Sequence, residues 1–446
     1  MRRTLLFAIA CAVAWLAVSP RSSAQQPVLA IEQVNVIPMD TERVLPDQTV
    51  VITAGRITTV APAAKVAVPV GATRIDGSGQ FLIPALAEMH AHIPSGQAAA
   101  QAERVLFMYV ANGIGTIRSM LGDPGHFSLR ERVRKGEIVG PTMYLSGPSF
   151  NGQTAATPEA AAARVAEQKK AGYDLLKIHP GVPRTAFDAL AAAADRAGIR
   201  FAGHVPAGVG LHRALEAKYS TIDHLDGYVE ALARPGAPPS QNFGVNLVPH
   251  VDESRIAALV GETKAAGTWN VPTQILLENW YGETDVEMMR NWPEIRYANP
   301  ADVMQWVATK RNNTEAVPAD QRRRFIALRR RLIKALHDGG AGLLLGSDAP
   351  QVWNVPGFSI HRELATYVAA GLTPYQALRT GTRNVAVHMG TLAQAGTIEA
   401  GRRADLVLLQ ANPLQDITNS SKIAGVLIGG RWLPRTEIQK RLDSGK

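Results

Sequence analysis

The chain has 446 residues, 46% hydrophobic and 19% charged, with a formal charge of +9 and a single cysteine. That length exceeds one ordinary core and calls for a large domain with a smaller one. The cysteine, Cys11, falls in an N-terminal leader, which excludes disulfides and thiolate metal ligands from the mature protein.

Residues 1–24 place Arg2 and Arg3 before the apolar stretch Leu5 to Val18 and end on Ser22-Ser23-Ala24, the pattern of a secretory signal peptide. The apolar part is too short to span a bilayer comfortably. A lipid-anchoring cysteine would want Leu three residues before Cys11, where Ala8 stands. The expectation is an exported protein, periplasmic or secreted, with no stable membrane anchor. Loss of Arg2, Arg3 and Arg21 brings the charge from +9 to +6. The densest basic run is Arg322-Arg323-Arg324 with Arg329-Arg330-Arg331, threaded at helical spacing by Phe325, Leu328, Leu332 and Leu336. It reads as a helix with a buried stripe and a solvated basic face, so no nucleic-acid partner is expected. Self-association into a homo-oligomer is left open.

From Val28 to about Pro84 the pattern is short β with hairpin turns, and the same texture returns in Ala404–Leu409, Ala424–Ile428 and Arg431–Pro434. Neither end has enough strands for a stable sheet alone. Residues 25–83 and 391–446 are therefore expected to pair into one small β-sandwich domain. Between them, in residues 84–390, apolar strands alternate with helical stretches. The predicted strands are Phe81–His92, Gly113–Met120, Thr142–Gly147, Asp174–His179, Arg200–Val205, Ser220–Leu225, Trp269–Gln274 and Gly342–Asp348. The predicted helices run Gln97 to Ala111, Pro158 to Ala171, Arg184 to Ala197, Val209 to Ala217, Glu253 to Ala266, Ala319 to Asp338 and Ile360 to Ala370. Eight such strands make the fold class α/β, a closed (β/α)8 TIM barrel whose chemistry would sit at the C-terminal strand ends. Long connections after strands six and seven carry Tyr228, Trp280, Tyr281, Trp292 and Trp306. They read either as a lid over a pocket or as aromatic packing on the rim.

The unusual residues fall at the expected strand ends. His90 and His92, spaced i, i+2 on a strand, share one face and can converge on one ion. Lys177, His204, His224 and Asp348 each interrupt a run that otherwise wants burial, at a cost of a few kcal/mol without a partner. Singly, the lysine could snorkel, the histidines could be satisfied in the core and the aspartate could cap a helix. Together they argue for one purpose.

These residues, with Pro84 through His92, Gly113-Ile114-Gly115-Thr116-Ile117-Arg118, Asp223-His224, Gly346-Ser347-Asp348, Thr382-Arg383-Asn384 and Ala404-Asp405-Leu406-Val407, give the chain a resemblance to the amidohydrolase superfamily. It resembles the binuclear branch that includes prolidase-like and imidazolonepropionase-related enzymes. By that resemblance His90 and His92 bind one divalent ion, His204 and His224 the other, Lys177 bridges both as a CO2-derived carbamate, and Asp348 is a metal ligand and the catalytic proton-transfer group. Zn2+ suits such nitrogen and oxygen ligands, and Mn2+ or Co2+ are not excluded. Three departures stand out: Ala85 where the family usually has Gly, Glu88 where Asp usually precedes the histidines, and Ser347 for the common Thr.

The implied reaction is hydrolysis of an amide bond in a small-molecule substrate, a dipeptide or N-acyl amino acid. Arg118 at the end of strand two, His179 with the parity of Lys177, and Tyr228 beyond strand six are the candidates for holding its carboxylate, each with a structural alternative. Other readings are a lactonase, a single-metal cyclic-amide hydrolase or deaminase of the same superfamily, and a non-catalytic exported binding protein.

Overall fold

The computed structural model describes residues 28–445; the signal peptide expected over 1–24 lies outside them. Among the described residues no helix is long and apolar enough to cross a membrane.

Strands β1 (Val28–Val36), β2 (Leu45–Thr53), β3 (Arg56–Pro62), β4 (Thr73–Asp76) and β5 (Phe81–Pro84) open the chain. The strands that close it, Leu406–Leu409, Ile423–Ile428 and Arg431–Pro434, join them in one eight-stranded sheet. The junction is the antiparallel pairing of Phe81–Pro84 with Leu406–Leu409, which sets Leu82 opposite Leu408. Both partners are continuously apolar because both faces are covered. Leu82, Leu406 and Leu408 enter a small core with Ile31, Val36, Val50 and Ile52, while Ile83, Val407 and Leu409 enter the main core. Strands from the two ends thus share a sheet, in which β4 pairs with β1 beside the main path.

The expected strand Phe81–His92 is two strands. After β5 the chain changes partner: Ala85 N–H donates to Asp405 O at 2.9 Å, and Leu86 N–H to Gly113 O at 2.8 Å. Pro84, which has no N–H, precedes the switch. From there β6 (Leu86–Ala91), β7 (Ile114–Ser119) and β8 (Thr142–Leu145) form one parallel sheet. Another is formed by β9 (Leu175–Ile178), β10 (Arg200–Gly203), β11 (Thr221–Asp223) and β12 (Trp269–Val271). Single bridges link the two sheets at both margins. Ser146 faces Leu175 and Phe150 faces Ile178 on one side; Asn270 faces Leu343 and Ala91 faces Ala349 on the other.

The eighth expected strand, Gly342–Asp348, is not a regular strand. It bonds twice to one neighbour, Asn270 N–H to Gly342 O and Leu344 N–H to Asn270 O, and once to the other, Met89 N–H to Leu345 O, each at 2.9 Å. Leu345 N–H turns instead to Thr380 O at 3.1 Å, which interrupts the ladder. The closing strands are β13 (Leu406–Leu409), β14 (Ile423–Ile428) and β15 (Arg431–Pro434).

Helices pack between the parallel strands. Those that position the site are α1 (Ala102–Ala111), α2 (Gly125–Arg134), α3 (Pro158–Ala171), α4 (Arg184–Ala197), α5 (Leu211–Glu216), α6 (Tyr228–Leu232), α7 (Ile256–Ala266), α8 (Gln274–Tyr281), α9 (Val286–Arg290), α10 (Pro300–Ala316), α11 (Ala319–Asp338) and α12 (Phe358–Ala369). The connections after β11 and β12, expected as loops, are largely helical, and Tyr228, Tyr281 and Trp306 are buried in them. Trp292 and Trp306 both pack on Trp353, so most of this aromatic content is rim packing.

Candidate metal centre

Five imidazoles form a row across the C-terminal strand ends: His92, His90, His224, His204 and His179, with successive ring centroids 5.4, 4.7, 4.5 and 5.2 Å apart. The i, i+2 spacing on β6 brings His90 and His92 to one carboxylate. Asp348 Oδ1 lies 2.7 Å from His92 Nε2 and 3.5 Å from His90 Nε2. His224 Nδ1 reaches the other oxygen of Asp348 at 3.8 Å. Lys177, fully buried in β9, sets Nζ 3.4 Å from His90 Nε2. The structure therefore gathers His90, His92, Lys177, His204, His224 and Asp348, with His179 at the edge of the row.

Three of the imidazoles have a polar group behind them, the kind of contact that orients a ligand. Asp226 Oδ2 is 2.8 Å from His204 Nδ1, Thr273 Oγ1 is 2.8 Å from His224 Nδ1, and Asp223 Oδ2 is 3.0 Å from His90 Nδ1, close but not aligned for a hydrogen bond. Burial depresses the pKa of His90 and His224 well below the usual value, and the neighbouring cations add to it. His179 is brought down to about 3 by burial and then by Lys177. Neutral imidazole is the metal-binding form. Burial also lowers the pKa of Lys177, against the raising effect of Asp223 and Asp348.

A cation fits these residues. His90, His224 and Asp348 each offer a ligand atom, and the three atoms lie within 4.8 Å of one another. His224 Nε2 is buried with no hydrogen-bond partner, a state that carries a desolvation cost of about 1–3 kcal/mol unless something satisfies the nitrogen.

Glu88, which stands where the family usually has Asp, has a defined place. Its Oε1 accepts from His90 N–H at 3.0 Å and Ser347 N–H at 2.8 Å, and its Oε2 lies 2.5 Å from Ser347 Oγ. The carboxyl thus clamps the backbone of two segments that carry candidate ligands, and burial pushes its pKa up to about 8. The segments approach so closely that a Cβ on Gly346 would sit 2.9 Å from His90 N.

Two expected carboxylate-binding residues are engaged elsewhere. Arg118 is buried beneath the row and donates to Met89 O at 2.7 Å, Thr221 Oγ1 at 2.9 Å and Asp223 Oδ1 at 3.2 Å. It compensates Asp223: burial pushes that carboxyl up, yet Arg118, Lys177 and His224 together hold it below its usual value. Tyr228 is also buried, its hydroxyl 2.9 Å from Thr263 Oγ1 in α7. Neither side chain has a free face for a substrate, because both are satisfied inside the protein.

Sequence reasoning gave no role to Asp223, Asp226, Thr273 or Arg329. Asp223 and Asp226 flank His224 within two residues and were open to inspection; Thr273 has no local signature. Arg329 is buried in α11, where it donates to His224 O at 2.7 Å, Pro272 O at 2.9 Å and Gln274 Oε1 at 2.9 Å. This corrects the expectation of a wholly solvated basic face.

The sequence profile of the Amidohydrolase family matches residues 81–433. The adenine deaminase 2 of Bradyrhizobium sp. (strain ORS 278) is 32% identical over 156 residues, a match covering 33% of this chain and 25% of that protein. The solved structure of bottromycin amidohydrolase superposes with a TM-score of 0.71 at 24% identity, over 94% of this chain and 90% of that one. A Xaa-Pro dipeptidase with methionine bound in its active site gives 0.68 at 19% identity, over 92% of this chain and 100% of that one. At these identities the two structures share the fold.

Proposed function

From the premise that this chain belongs to the amidohydrolase family, we propose that it is an exported hydrolase of an amide bond in a dipeptide or N-acyl amino acid, working with two divalent metal ions. The observation that carries this reading is the convergence of four histidines, Asp348 and a fully buried lysine at parallel strand ends. We read the two parallel sheets as arcs of one (β/α)8 barrel, which the bridges at both margins support. The terminal sheet, with its separate core, is read as the small β-sandwich domain of residues 25–83 and 391–446 beside a barrel over 84–390.

His90 and His92 would hold one ion, His204 and His224 the other, with Lys177 between them as a carbamate and Asp348 beside the first. When bound, two such ions, most simply Zn2+, polarise a carbonyl and lower the pKa of a water to near neutrality. The rest falls to the chain. A neutral Lys177 amine is what addition to CO2 requires: the nitrogen lone pair forms the N–C bond and a proton leaves. Its burial favours that form. Asp348, held against His92 and His90, accepts the proton of the attacking water and returns it to the departing nitrogen. Glu88 and Asn354 fix the Ser347 backbone immediately before that aspartate. His179, at the outer end of the row, remains the candidate for a substrate carboxylate.

A single-ion deaminase or cyclic-amide hydrolase is the second reading, favoured by the adenine deaminase match and by the compact His90, His224 and Asp348 cluster. Elemental analysis with a screen of dipeptides, N-acyl amino acids and lactones separates the two. Two ions per chain, amide hydrolysis, and loss of activity in Lys177→Ala with partial return on adding small carboxylic acids are expected. One ion per chain under metal-replete conditions, with Lys177→Ala fully active, would replace the first reading by the second.

A further inference from the structure

One aromatic side chain lies against the candidate metal centre without belonging to it, and a second packs on the first. Phe243, half-buried, sits in the 3-10 segment Asn242–His250 after α6, and its ring meets that of His224 edge-on at 5.7 Å. Trp280, in the last turn of α8, meets the ring of Phe243 at 5.5 Å with 65° between planes. His224, Phe243 and Trp280 therefore make one continuous aromatic surface that starts at a candidate ligand and runs outward.

The backbone beneath Phe243 is unusual. Asn242, Phe243 and Gly244 follow one another in the left-handed region, with φ of 48°, 62° and 80°. A bulky residue adopts that conformation only where its surroundings over-determine it, and such outliers gather at functional sites. Here the surroundings are explicit. Asn246 Oδ1 accepts from Gln241 N–H at 2.8 Å, its Nδ2 donates to Pro239 O at 2.9 Å, and Gln321 Nε2 donates to Val245 O at 2.8 Å. Gly244 approaches Val229 so closely that a Cβ would lie 2.8 Å from its Cγ1. Gly244 adopts this conformation without cost and Asn242 tolerates it, so the strain falls on Phe243 itself, the residue whose ring is presented to His224.

We propose that Phe243 and Trp280 are the specificity wall of the centre and select substrates with a bulky apolar side chain beside the scissile amide. The assignment rests on the amide-hydrolysis reading above and names the substrate class for it. Aromatic rings recognise apolar and especially aromatic groups by edge and face contact. A single methylene gained or lost in an apolar pocket already changes selectivity by roughly 10–200-fold.

The test compares N-acetyl-L-phenylalanine with N-acetylglycine as substrates of the metal-loaded protein. Their phosphonate analogues, in which tetrahedral phosphorus replaces the amide carbonyl, are used in parallel as inert probes of binding. The wild type is expected to prefer the phenylalanine compound at least tenfold in kcat/KM and in analogue affinity. Phe243→Ala and Trp280→Ala should each cut that ratio at least fivefold, and Phe243→Leu should keep more of it than Phe243→Ala. A purely structural role would lower both compounds together and leave the ratio unmoved, which would overturn the wall, as would a wild-type ratio near one or failure of both analogues to bind. Analogue selectivity that depends on Phe243, with no hydrolysis of either amide, would support the wall and remove the amide-hydrolysis reading. Hydrolysis with a ratio indifferent to both variants would do the reverse.

Discussion

Arg118 offers the sharpest test of how this centre is built, because its two readings predict opposite phenotypes. The side chain is 2% exposed and makes three hydrogen bonds, one of them to Asp223, whose side chain is 0% exposed. Arg118→Met keeps the apolar stem and leaves the Asp223 carboxylate buried without its main counter-charge. Removing one partner of a buried ion pair costs about 3–5 kcal/mol. The conversion is about 2–4 °C per kcal/mol for a domain of 150–250 residues and about half that for a chain of this size, so the midpoint should fall by roughly 3–10 °C. Thermal unfolding followed by circular dichroism, in chelator so that metal linkage does not contribute, measures this. The double variant Arg118→Met/Asp223→Asn should recover part of the loss, since no uncompensated charge then remains. A midpoint within about 2 °C of wild type, together with a KM raised only for substrates bearing a free carboxylate, would refute the structural assignment and return Arg118 to the substrate.

Two further outcomes follow. Asp348→Asn keeps the shape and one oxygen donor but removes the proton acceptor, so kcat should fall about 10²–10⁴-fold while elemental analysis finds the metal retained; a loss below tenfold would assign proton transfer elsewhere. Glu363 in α12 accepts the N–H groups of Gln274 and Ile275 at 2.9 and 2.6 Å, and burial raises its pKa from 4.5 to about 7. A raised folded-state pKa means that its contribution to stability is present in full below about 4.5 and is lost as the pH rises to about 7, some 3 kcal/mol in all. Denaturant unfolding at pH 5 and pH 8 should therefore show a smaller pH-dependent difference in Glu363→Gln than in wild type, and an unchanged difference would show that the carboxyl is already ionised at the lower pH.

Much of the candidate centre was legible because its polar residues contradict their surroundings. Lys177, His204, His224 and Asp348 each stand in a run whose other residues are buried for apolar reasons, and the i, i+2 spacing of His90 and His92 carries its own geometry. Helices with strong local punctuation were equally plain: Pro158 opens α3, and the apolar repeat of α11 stops at Asp338 before two glycines. The failures have a common cause in partners distant along the chain. Arg118 and Thr221 are separated by 103 positions and Arg118 and Asp223 by 105, so nothing near Arg118 shows that its guanidinium is already satisfied. The division of Phe81–His92 into β5 and β6 was hidden for a related reason. An apolar run looks the same whether it stays in one sheet or passes into the next, and the partner that marks the change, Asp405, lies more than three hundred residues away.

Arg329 shows where a signal was present and was read the wrong way. The stripe Phe325, Leu328, Leu332 on α11 has the spacing i, i+3, i+7, and the position that completes such a stripe is i+4, which is Arg329. A charge there reads as an interruption if the helix only packs, but as a deliberate inward group if the backbone behind it needs a donor. Here it does. His224 and Leu225 at the end of β11 have φ of 61° and 54°, and Thr273 after β12 has φ of 43°, conformations that cost on the order of 1–3 kcal/mol each and need external support. The buried guanidinium bonds the carbonyls of His224 and Pro272 and the side chain of Gln274, one on each side of the strained turns. One cation from the outer helix layer thus staples the two turns that aim His224 and its partner Thr273, and the basic run of α11 combines solvent-facing arginines with one that holds the row of histidines in shape.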